Sequence, residues 1–577
     1  MCGIAGIIGE YKEEQLDKML LSQNHRGPDA TAKYLDSGFC ALGHNRLAII
    51  DLSSEANQPF LDYSGRYSIV FNGEIYNYIE IKATLKSQYS FKTESDTEVL
   101  LAAFIIYGKS CLEKLNGMFA FAIWDNQEKK LFAARDRFGV KPFFYSLSNN
   151  IFCFSSEIKA LHAAGIAKVP NEKVWASYFA FGSYGMPDET FWLNIIQLPG
   201  GHFLEFEDKN ITIKKWYYFE EEVAKQPKNL TFDQAKKQYV ALLKDSINLR
   251  FRADVSVGFN VSGGLDSSVL LALVNLQEDN SKINAYTFYT DNSDYDELPW
   301  VEKMIAHTQN PLRKVLLEAD DVPAFTQKIQ WQQDEPFGGI PTLAYAKIFE
   351  QARKDLVLVL LDGQGMDEQW AGYDYYTQNN EAIIQGVHDS PYKINMLADS
   401  FFAKAEKPTY PKPFKDEVLN KQYRDLFYTK IPRALRFNDR ISMAFSTELR
   451  EPFLDYRLVE LAFSLPLDYK IKNGISKYIL REIASEYFVE DLVFAPKRPL
   501  QTPQREWLAT DLKEWVNQCF TELESSVYAN WFNKQSLRNE LKSYFEGNIQ
   551  SGFHIWQCIS FHEMLKLQNP ITLQTKK

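Results

Sequence analysis

The sequence predicts two domains of different class: an α+β domain of stacked antiparallel sheets with helices over residues 1–210, and an α/β parallel-sheet domain with a helical C-terminal part over 231–577. Residues 211–230 are expected to link them. Three observations predict this. Short apolar strands in the first third are joined by tight polar connections. Beyond residue 255 apolar strands alternate with helical patterns, the mark of βαβ units. From about residue 395 the pattern is mostly helical. At roughly 100 to 200 residues per domain, 577 residues exceed one compact unit.

Each element follows from local pattern. Ser68–Phe71, Phe119–Trp124, Lys130–Ala134, Phe143–Ser146 and Ile151–Phe154 read as strands, with Asp125-Asn126-Gln127 and Asn149-Asn150 as hairpin connections. Helical stretches at 14–22 and 97–107 would pack on the sheets. The polar stretch Glu220–Asn229, with Lys225, Pro227 and Lys228, marks the linker. Strands at Val255–Val261, Asn284–Tyr289, Leu312–Leu317 and Leu356–Leu361 then alternate with helices at 267–277, 297–308, 321–333 and 341–354.

Composition excludes several classes. Hydrophobic residues at 45% and charged residues at 24% are ordinary for a globular chain. A net charge of −11 offers no electrostatic footprint for nucleic acid or an anionic membrane, so phosphates must be held locally. The opening MCGIAGIIGE has no secretory pattern, and no apolar run approaches the roughly 18 residues of a membrane span. A cytoplasmic protein without nucleic-acid or membrane partners, possible as a homodimer, is expected. Six cysteines show no CxxC pair and no clustering with histidine along the chain, suggesting neither a zinc site nor a disulfide framework.

The first chemical signal ends strand 255–261. Ser262-Gly263-Gly264-Leu265-Asp266-Ser267-Ser268 offers glycines for close approach of backbone to an anion, hydroxyl donors, and the N-terminal end of a helix. An aspartate inside a phosphate cradle makes sense when a cation is shared, so Asp266 reads as a magnesium ligand. The loop lacks the lysine of a GxxxxGK[ST] motif and is not a Walker loop. The strand ending at Leu361 leads into Asp362-Gly363-Gln364-Gly365-Met366-Asp367-Glu368. Strand ends share one edge of a parallel sheet, so this loop should face the serine-rich one, with Asp266 and Asp367 sharing one Mg²⁺. SGGLDSS resembles the pyrophosphate loop of the ATP pyrophosphatase superfamily, which implies adenylation of a carbonyl or carboxylate with release of pyrophosphate.

The second signal is at the start. After loss of Met1, Cys2 would carry a free α-amine able to act as base for its own thiol. MCGIAGI, His25-Arg26-Gly27-Pro28-Asp29, Asn45-Arg46-Leu47, Phe71-Asn72-Gly73-Glu74-Ile75-Tyr76-Asn77, Ser95-Asp96-Thr97-Glu98 and Asn116-Gly117-Met118-Phe119-Ala120-Phe121 resemble, in order, the class II glutamine amidotransferase domain, whose fold is of the N-terminal nucleophile type. Cys2 would attack the glutamine amide to give a thioester and ammonia. Asn72 and Gly73 suit an oxyanion hole. The resemblance implies that Arg46 clamps the glutamine α-carboxylate and Asp96 its α-ammonium, with Glu74 in the same pocket. Arg46 as a surface cation and Asp96 as a helix cap are the competing readings.

Together the two halves resemble the glutamine-hydrolysing asparagine synthetase family over nearly the whole chain. Further matches are Arg450-Glu451-Pro452-Phe453-Leu454-Asp455, Gly474-Ile475-Ser476-Lys477-Tyr478-Ile479-Leu480-Arg481 and the pocket-bordering Asp334-Glu335-Pro336-Phe337. The resemblance implies that Lys477 contacts the ATP phosphates, with Gly363, Gln364 and Gly365 beside them. It implies ATP and Mg²⁺, an interdomain ammonia tunnel, and conversion of aspartate to asparagine with AMP and pyrophosphate as products. The pattern departs in one place. Ser-Gly-Glu-Gly-Ser-Asp-Glu of those enzymes is Asp362-Gly363-Gln364-Gly365-Met366-Asp367-Glu368 here, so a proposed carboxylate base becomes a neutral amide. Gln501-Thr502-Pro503-Gln504 differs too. Amidation of another carboxylate, as relatives perform in antibiotic, lasso-peptide and surface-glycan pathways, is therefore the alternative. A nucleotide-binding scaffold without activity would leave Cys2, Asn72, Asp266 and Asp367 without a shared reason.

Overall fold

Alternation at period two builds the first domain. In the strand Gly3–Ile8, Ile4 and Ile8 point one way, into a core shared with Leu42, Val70, Ala122 and Phe154, while Ala5 and Ile7 point the other way, against the helix Glu13–Ser22. Two six-stranded sheets therefore stack face to face with helices outside, the second sheet covered by Tyr78–Leu85 and Asp96–Tyr107. The first sheet runs Ile196–Gln197, Phe144–Ser148, Ile151–Ser155, Gly3–Ile8, Cys40–Arg46, Ala30–Asp36, with every pairing antiparallel. The computed structural model describes residues 2–36, 38–148, 150–275, 283–377, 390–488, 490–494, 502–549 and 552–568. Asn149, Gln277 and Gln501, used in the sequence reading, lie outside them.

The stretch expected as a linker carries regular structure. Asn210–Lys215 is the edge strand of the second sheet, pairing with His202–Glu207, and Phe219–Lys225 is a helix. Phe219 packs on Phe463 and Phe427 of the second domain. The helix Phe232–Arg250 then starts with Thr231 and Gln234 in a capping box.

The second domain holds a five-stranded parallel sheet in the order Leu312–Leu316, Ala285–Tyr289, Val257–Asn260, Val359–Leu361, Glu448–Arg450. The fifth strand is only three residues long, below what periodicity can register, and the sequence reading has no strand there. Val359–Leu361 is shorter than the apolar run: Leu356 is exposed in a left-handed conformation at φ 58°. The two central strands pair Val257 with Val359 and Phe259 with Leu361. Their C-terminal ends therefore place the serine-rich and acidic loops side by side.

The domains meet through buried ion pairs. Arg26 bridges Glu157 at 2.9 Å and Asp439 at 2.8 Å. Arg440 lies 3.2 Å from Glu157, and Asn116 donates to Asp455 at 3.0 Å. Burial alone would raise Asp439, but Arg26 holds it below the usual carboxylate range. Among the described residues no helix is long and apolar enough to cross a membrane, and all six cysteines are free and buried. The fold does what chain spacing does not: it gathers Cys519, His562 and Glu563, with Lys566 3.4 Å from Glu563.

Candidate active sites

The first site is built on strands. Cys2 sits at the start of Gly3–Ile8, and its backbone nitrogen donates to Asn72 Oδ1 at 3.0 Å. That bond fixes the Asn72 amide and leaves its Nδ2 buried with no acceptor among the described residues. A buried donor without a partner is costly unless something else fills the role. Gly73 follows at φ 154°, and a Cβ there would lie 2.1 Å from the Met118 carbonyl, so only glycine permits the strand Tyr67–Ile75 to pair so closely with Gly117–Asp125. The Cys2 thiol points at the Leu47 carbonyl, 3.9 Å away. Burial pushes this thiol up, while the Leu47 backbone and Arg46 pull it down.

Arg46 ends the strand Cys40–Arg46 and is buried, not a surface cation. Its guanidinium is held by the loop it faces, donating to Ser53 O at 2.6 Å and Asn57 Oδ1 at 2.8 Å. Asp96 is not the helix cap: Ser95 caps Asp96–Tyr107 by accepting from the Thr97 amide. Asp96 instead accepts from the Ile75 amide at 2.9 Å, and burial pushes it up to about 6. Glu74 is pushed well above its ordinary value by burial and by Glu448 and Asp96 nearby. The Arg450 guanidinium of the second domain lies 3.6 Å from Glu74. Arg26 donates to the Cys2 carbonyl at 3.0 Å while pairing with Asp439, so one side chain touches both the Cys2 backbone and the other domain.

The second site is built on loops. Gly263 turns the serine-rich loop at φ 64°, and Asp266 lies in the first turn of the helix Leu265–Asn275. Ser267 and Ser268 donate to the Gly264 carbonyl at 3.1 and 2.9 Å, and the Ser262 amide donates to Ser267 Oγ. A Cβ on Gly363 would meet the Asp266 Cβ at 3.4 Å, so the two loops touch. The Lys477 ammonium, at a helix start with φ 56°, lies 2.6 Å from Asp266 and 2.7 Å from Asp367. The two carboxylates raise Lys477 above its ordinary value against the opposing effect of burial. Two converging carboxylates flanked by serine hydroxyls form a hard-oxygen donor set that suits a divalent cation.

Around them opens a cleft of about 1200 Å³ lined by both loops, Lys477, Phe337, Thr502 and Gln504. Asp362 accepts from Tyr345 at 2.6 Å; burial raises its carboxyl, and the Tyr345, Gly363 and Gln364 hydrogen bonds pull it down. Glu368 lines the cleft, bonded to Tyr373 at 2.8 Å, with burial and Asp367 pushing it up to about 7. Gln504 accepts from the Ile340 amide at 2.8 Å, closing the N-terminal end of the helix Ile340–Lys354. At the domain interface, a water-sized cavity of about 10 Å³ is lined by Tyr76, Asn116, Met118, Arg137, Arg250 and Glu451 among others.

The chain matches the glutamine amidotransferase domain family over residues 1–217 and the asparagine synthase family over residues 238–566. The chain belongs to the asparagine synthase family. It is 29% identical to asparagine synthetase [glutamine-hydrolyzing] 3 of Bacillus subtilis, covering 93% of this chain and 92% of that one. It is 28% identical to asparagine synthetase [glutamine-hydrolyzing] 1 of the same organism, over 97% and 96%. Amidase chry2 of Gibberella zeae is 25% identical over 98% of each chain. This asparagine synthase family member is thus an amidotransferase with a synthetase domain.

Some residues of the site escape sequence reasoning. A Cβ on Gly372 would fall 1.9 Å from Asp367 Oδ1 and 2.4 Å from Lys477 Cε, so this glycine lets the triad of charges form. No local pattern marks it. Arg450 is visible in the sequence only as part of the segment Arg450–Asp455 and Glu448 not at all, because their approach to Glu74 depends on two domains meeting. Asp334 and Glu335 act across that junction too: Glu335 accepts from the Phe191 amide at 2.8 Å and Asp334 pairs with Lys159 at 3.2 Å.

Proposed function

We propose that the chain hydrolyses glutamine at Cys2 and passes the ammonia to a carboxylate that ATP has activated in the cleft of the second domain. The observation that carries this reading is the convergence of Asp266 and Asp367 on Lys477 beside the serine-rich loop, in a chain whose other buried site pairs Cys2 with Asn72. With Met1 removed, the nitrogen now bonded to Asn72 is the α-amine that takes the thiol proton. The sulfur attacks the glutamine amide, and Asn72 Nδ2 and the Gly73 amide receive the oxyanion. The protonated α-amine returns the proton to the departing nitrogen so that ammonia leaves, and water then cleaves the γ-glutamyl thioester to glutamate and frees the thiol. Arg46 orients the glutamine α-carboxylate, Asp96 its ammonium, and Glu74 completes the pocket.

In the cleft, Ser262, Gly263, Gly264, Leu265, Ser267 and Ser268 cradle the ATP phosphates with Gly363, Gln364 and Gly365 opposite. Asp266 and Asp367 would hold Mg²⁺, which supplies neutralisation of phosphate charge when bound. Lys477 stabilises charge on the leaving pyrophosphate. Ammonia then displaces AMP from the acyl adenylate, forming the C–N bond. The cavity at the interface, lined by residues of both domains, is where a passage for ammonia would run.

The first acceptor reading is the aspartate side chain, giving asparagine, AMP and pyrophosphate. The second is a different carboxylic acid, favoured by Gln364: a neutral amide cannot take the proton of the attacking ammonia, which then falls to Glu368, Asp362 or a pyrophosphate oxygen. Mass spectrometry of products from glutamine, Mg·ATP and either aspartate or other acids tests both. Amide product in proportion to AMP is expected. Glutamine hydrolysis without AMP from any acid would overturn the reading.

A further inference from the structure

Beside the ATP cleft lies a second chamber of about 650 Å³ that the reaction above leaves unused. It is walled by the loop 181–189, the segment 407–412 and the helices Glu417–Phe427 and Lys430–Met443. Gly182, Tyr184, Lys430 and Arg433 line both spaces, so chamber and cleft share one wall. Aspartate fills only a small part of such a volume, which is the size that encloses a drug-sized ligand.

The chamber's charge is opposite to that of the chain. The protein carries −11 in total, yet the chamber lining holds seven lysines and arginines against two glutamates. Arg424, Arg436 and Lys412 are answered by Asp425, Glu335 and Glu417. Arg433 makes no hydrogen bond or ion pair among the described residues, and packs 5.7 Å over the Tyr184 ring. Lys421 donates to the Tyr375 carbonyl, and burial first, then the neighbouring Arg424, holds it below its ordinary value. Lys430 lies over the rings of Tyr373 and Tyr375, at the boundary with the cleft. Cations gathered in a concave, partly dry space attract anionic groups more strongly than the same cations on an open surface.

We propose that this chamber is the outer half of the acceptor site, receiving further anionic groups of a polyanionic acid whose carboxylate is activated in the adjoining cleft. The proposal rests on the second acceptor reading above. The far anionic groups are carboxylates or phosphates, two sources of one chemistry. Arg433 lines both spaces, within reach of an acceptor that spans them.

The test uses the full chain with glutamine and Mg·ATP, reading pyrophosphate release with aspartate, with trigalacturonate and with uridine diphosphate glucuronate, and binding of each acid by calorimetry. Arg433→Gln and the exposed Lys407→Gln are compared with the unaltered chain, with thermal melts reporting folding. Expected is faster pyrophosphate release with one polyanion than with aspartate, and affinity for it weakened about tenfold in Arg433→Gln and less in Lys407→Gln, as loss of a charge-assisted contact predicts. The responding polyanion identifies carboxylate or phosphate as the far group. Turnover of aspartate with no binding of either polyanion, or binding indifferent to both substitutions, overturns the proposal and leaves the proposed function standing. Polyanion binding without pyrophosphate release from any acid overturns both.

Discussion

The two sites differ in how their geometry is held. Around Cys2 the candidate groups sit, buried, on paired strands or, for Asp96, at the start of a helix, and each is fixed by a hydrogen bond that involves the backbone. The Cys2 nitrogen donates to the Asn72 side chain, Asp96 accepts from the Ile75 amide, and Arg46 donates to the Ser53 carbonyl. Around Lys477 they sit on loops facing a wide cleft, and acidic side chains hold a cation between them. A strand-built site admits one small substrate and one chemistry. A loop-built site that opens on a wide cleft leaves room for its far walls to vary while the loops themselves stay in place.

The largest expected effect separates the sites outright. Cys2→Ala should lower glutamine-driven product formation by about 10⁴-fold or more, as loss of a catalytic nucleophile does, yet retain product formation from added ammonium. If both nitrogen sources fail together, the strand-built site is not an independent unit. Next, Asp266→Asn or Asp367→Asn should cut acceptor-dependent pyrophosphate release by about 10² to 10³ while glutamine hydrolysis stays measurable. Unchanged turnover of Mg·ATP in both variants would remove these carboxylates from the phosphate machinery.

A third experiment addresses what joins the sites. Asp439→Asn leaves Arg26 with Glu157 alone inside the interface, and breaking a buried pair costs about 3 to 5 kcal/mol. The expected result is a lower melting temperature and more glutamate formed per amide, as ammonia escapes. The sign with pH follows from Asp439 being held low in the folded chain. Its contribution is full above the usual carboxylate range and is lost as pH falls through its depressed value. A melting temperature in Asp439→Asn equal to that of the unaltered chain at pH 7 would refute this.

The strand-built site should also carry its own pH signature. Asp96 is pushed up to about 6 by burial, and in the role proposed for it, pairing with the glutamine ammonium, it has to be ionised. The KM for glutamine should therefore rise as pH falls through about 6, reaching about tenfold at pH 5, measured as hydrolysis alone. Asp96→Asn should show a raised KM without that step. A step that persists in the variant assigns the titration to another group.

The same contrast explains what the sequence reveals. Glycine and asparagine in Phe71-Asn72-Gly73 carry their chemistry within a few residues of one strand, so the first site is legible locally, as are the strand-terminal loops at 262–268 and 362–368. The strand Glu448–Arg450 is not legible, because three residues give no period and its burial comes from neighbours hundreds of residues away. Gly372 and the Arg26–Asp439 pair are hidden for a related reason: each is defined by a contact across the fold. The linker reading arises because Glu220–Asn229 is polar in composition, although Phe219 anchors the helix Phe219–Lys225 from one end.

The smallest expected effect bears on the loop-built site alone. Gln364 is half-buried in the cleft, and its side chain hydrogen-bonds the Asp362 carboxylate. Gln364→Glu restores the carboxylate of the family pattern but sets it beside Asp362, where a second negative charge would raise both. If the proton of the attacking ammonia already goes to another acceptor, the new carboxylate is redundant. Amide formation with the chain's own acceptor should then change by less than about threefold, the scale of a substitution away from a critical contact. Glutamine hydrolysis, on the strand-built side, should not move. A gain of about a hundredfold with aspartate would instead show that the amide at 364 is what holds this cleft back from that acceptor, and that the two sites have been tuned apart through the acceptor wall while the glutamine pocket stayed as it was.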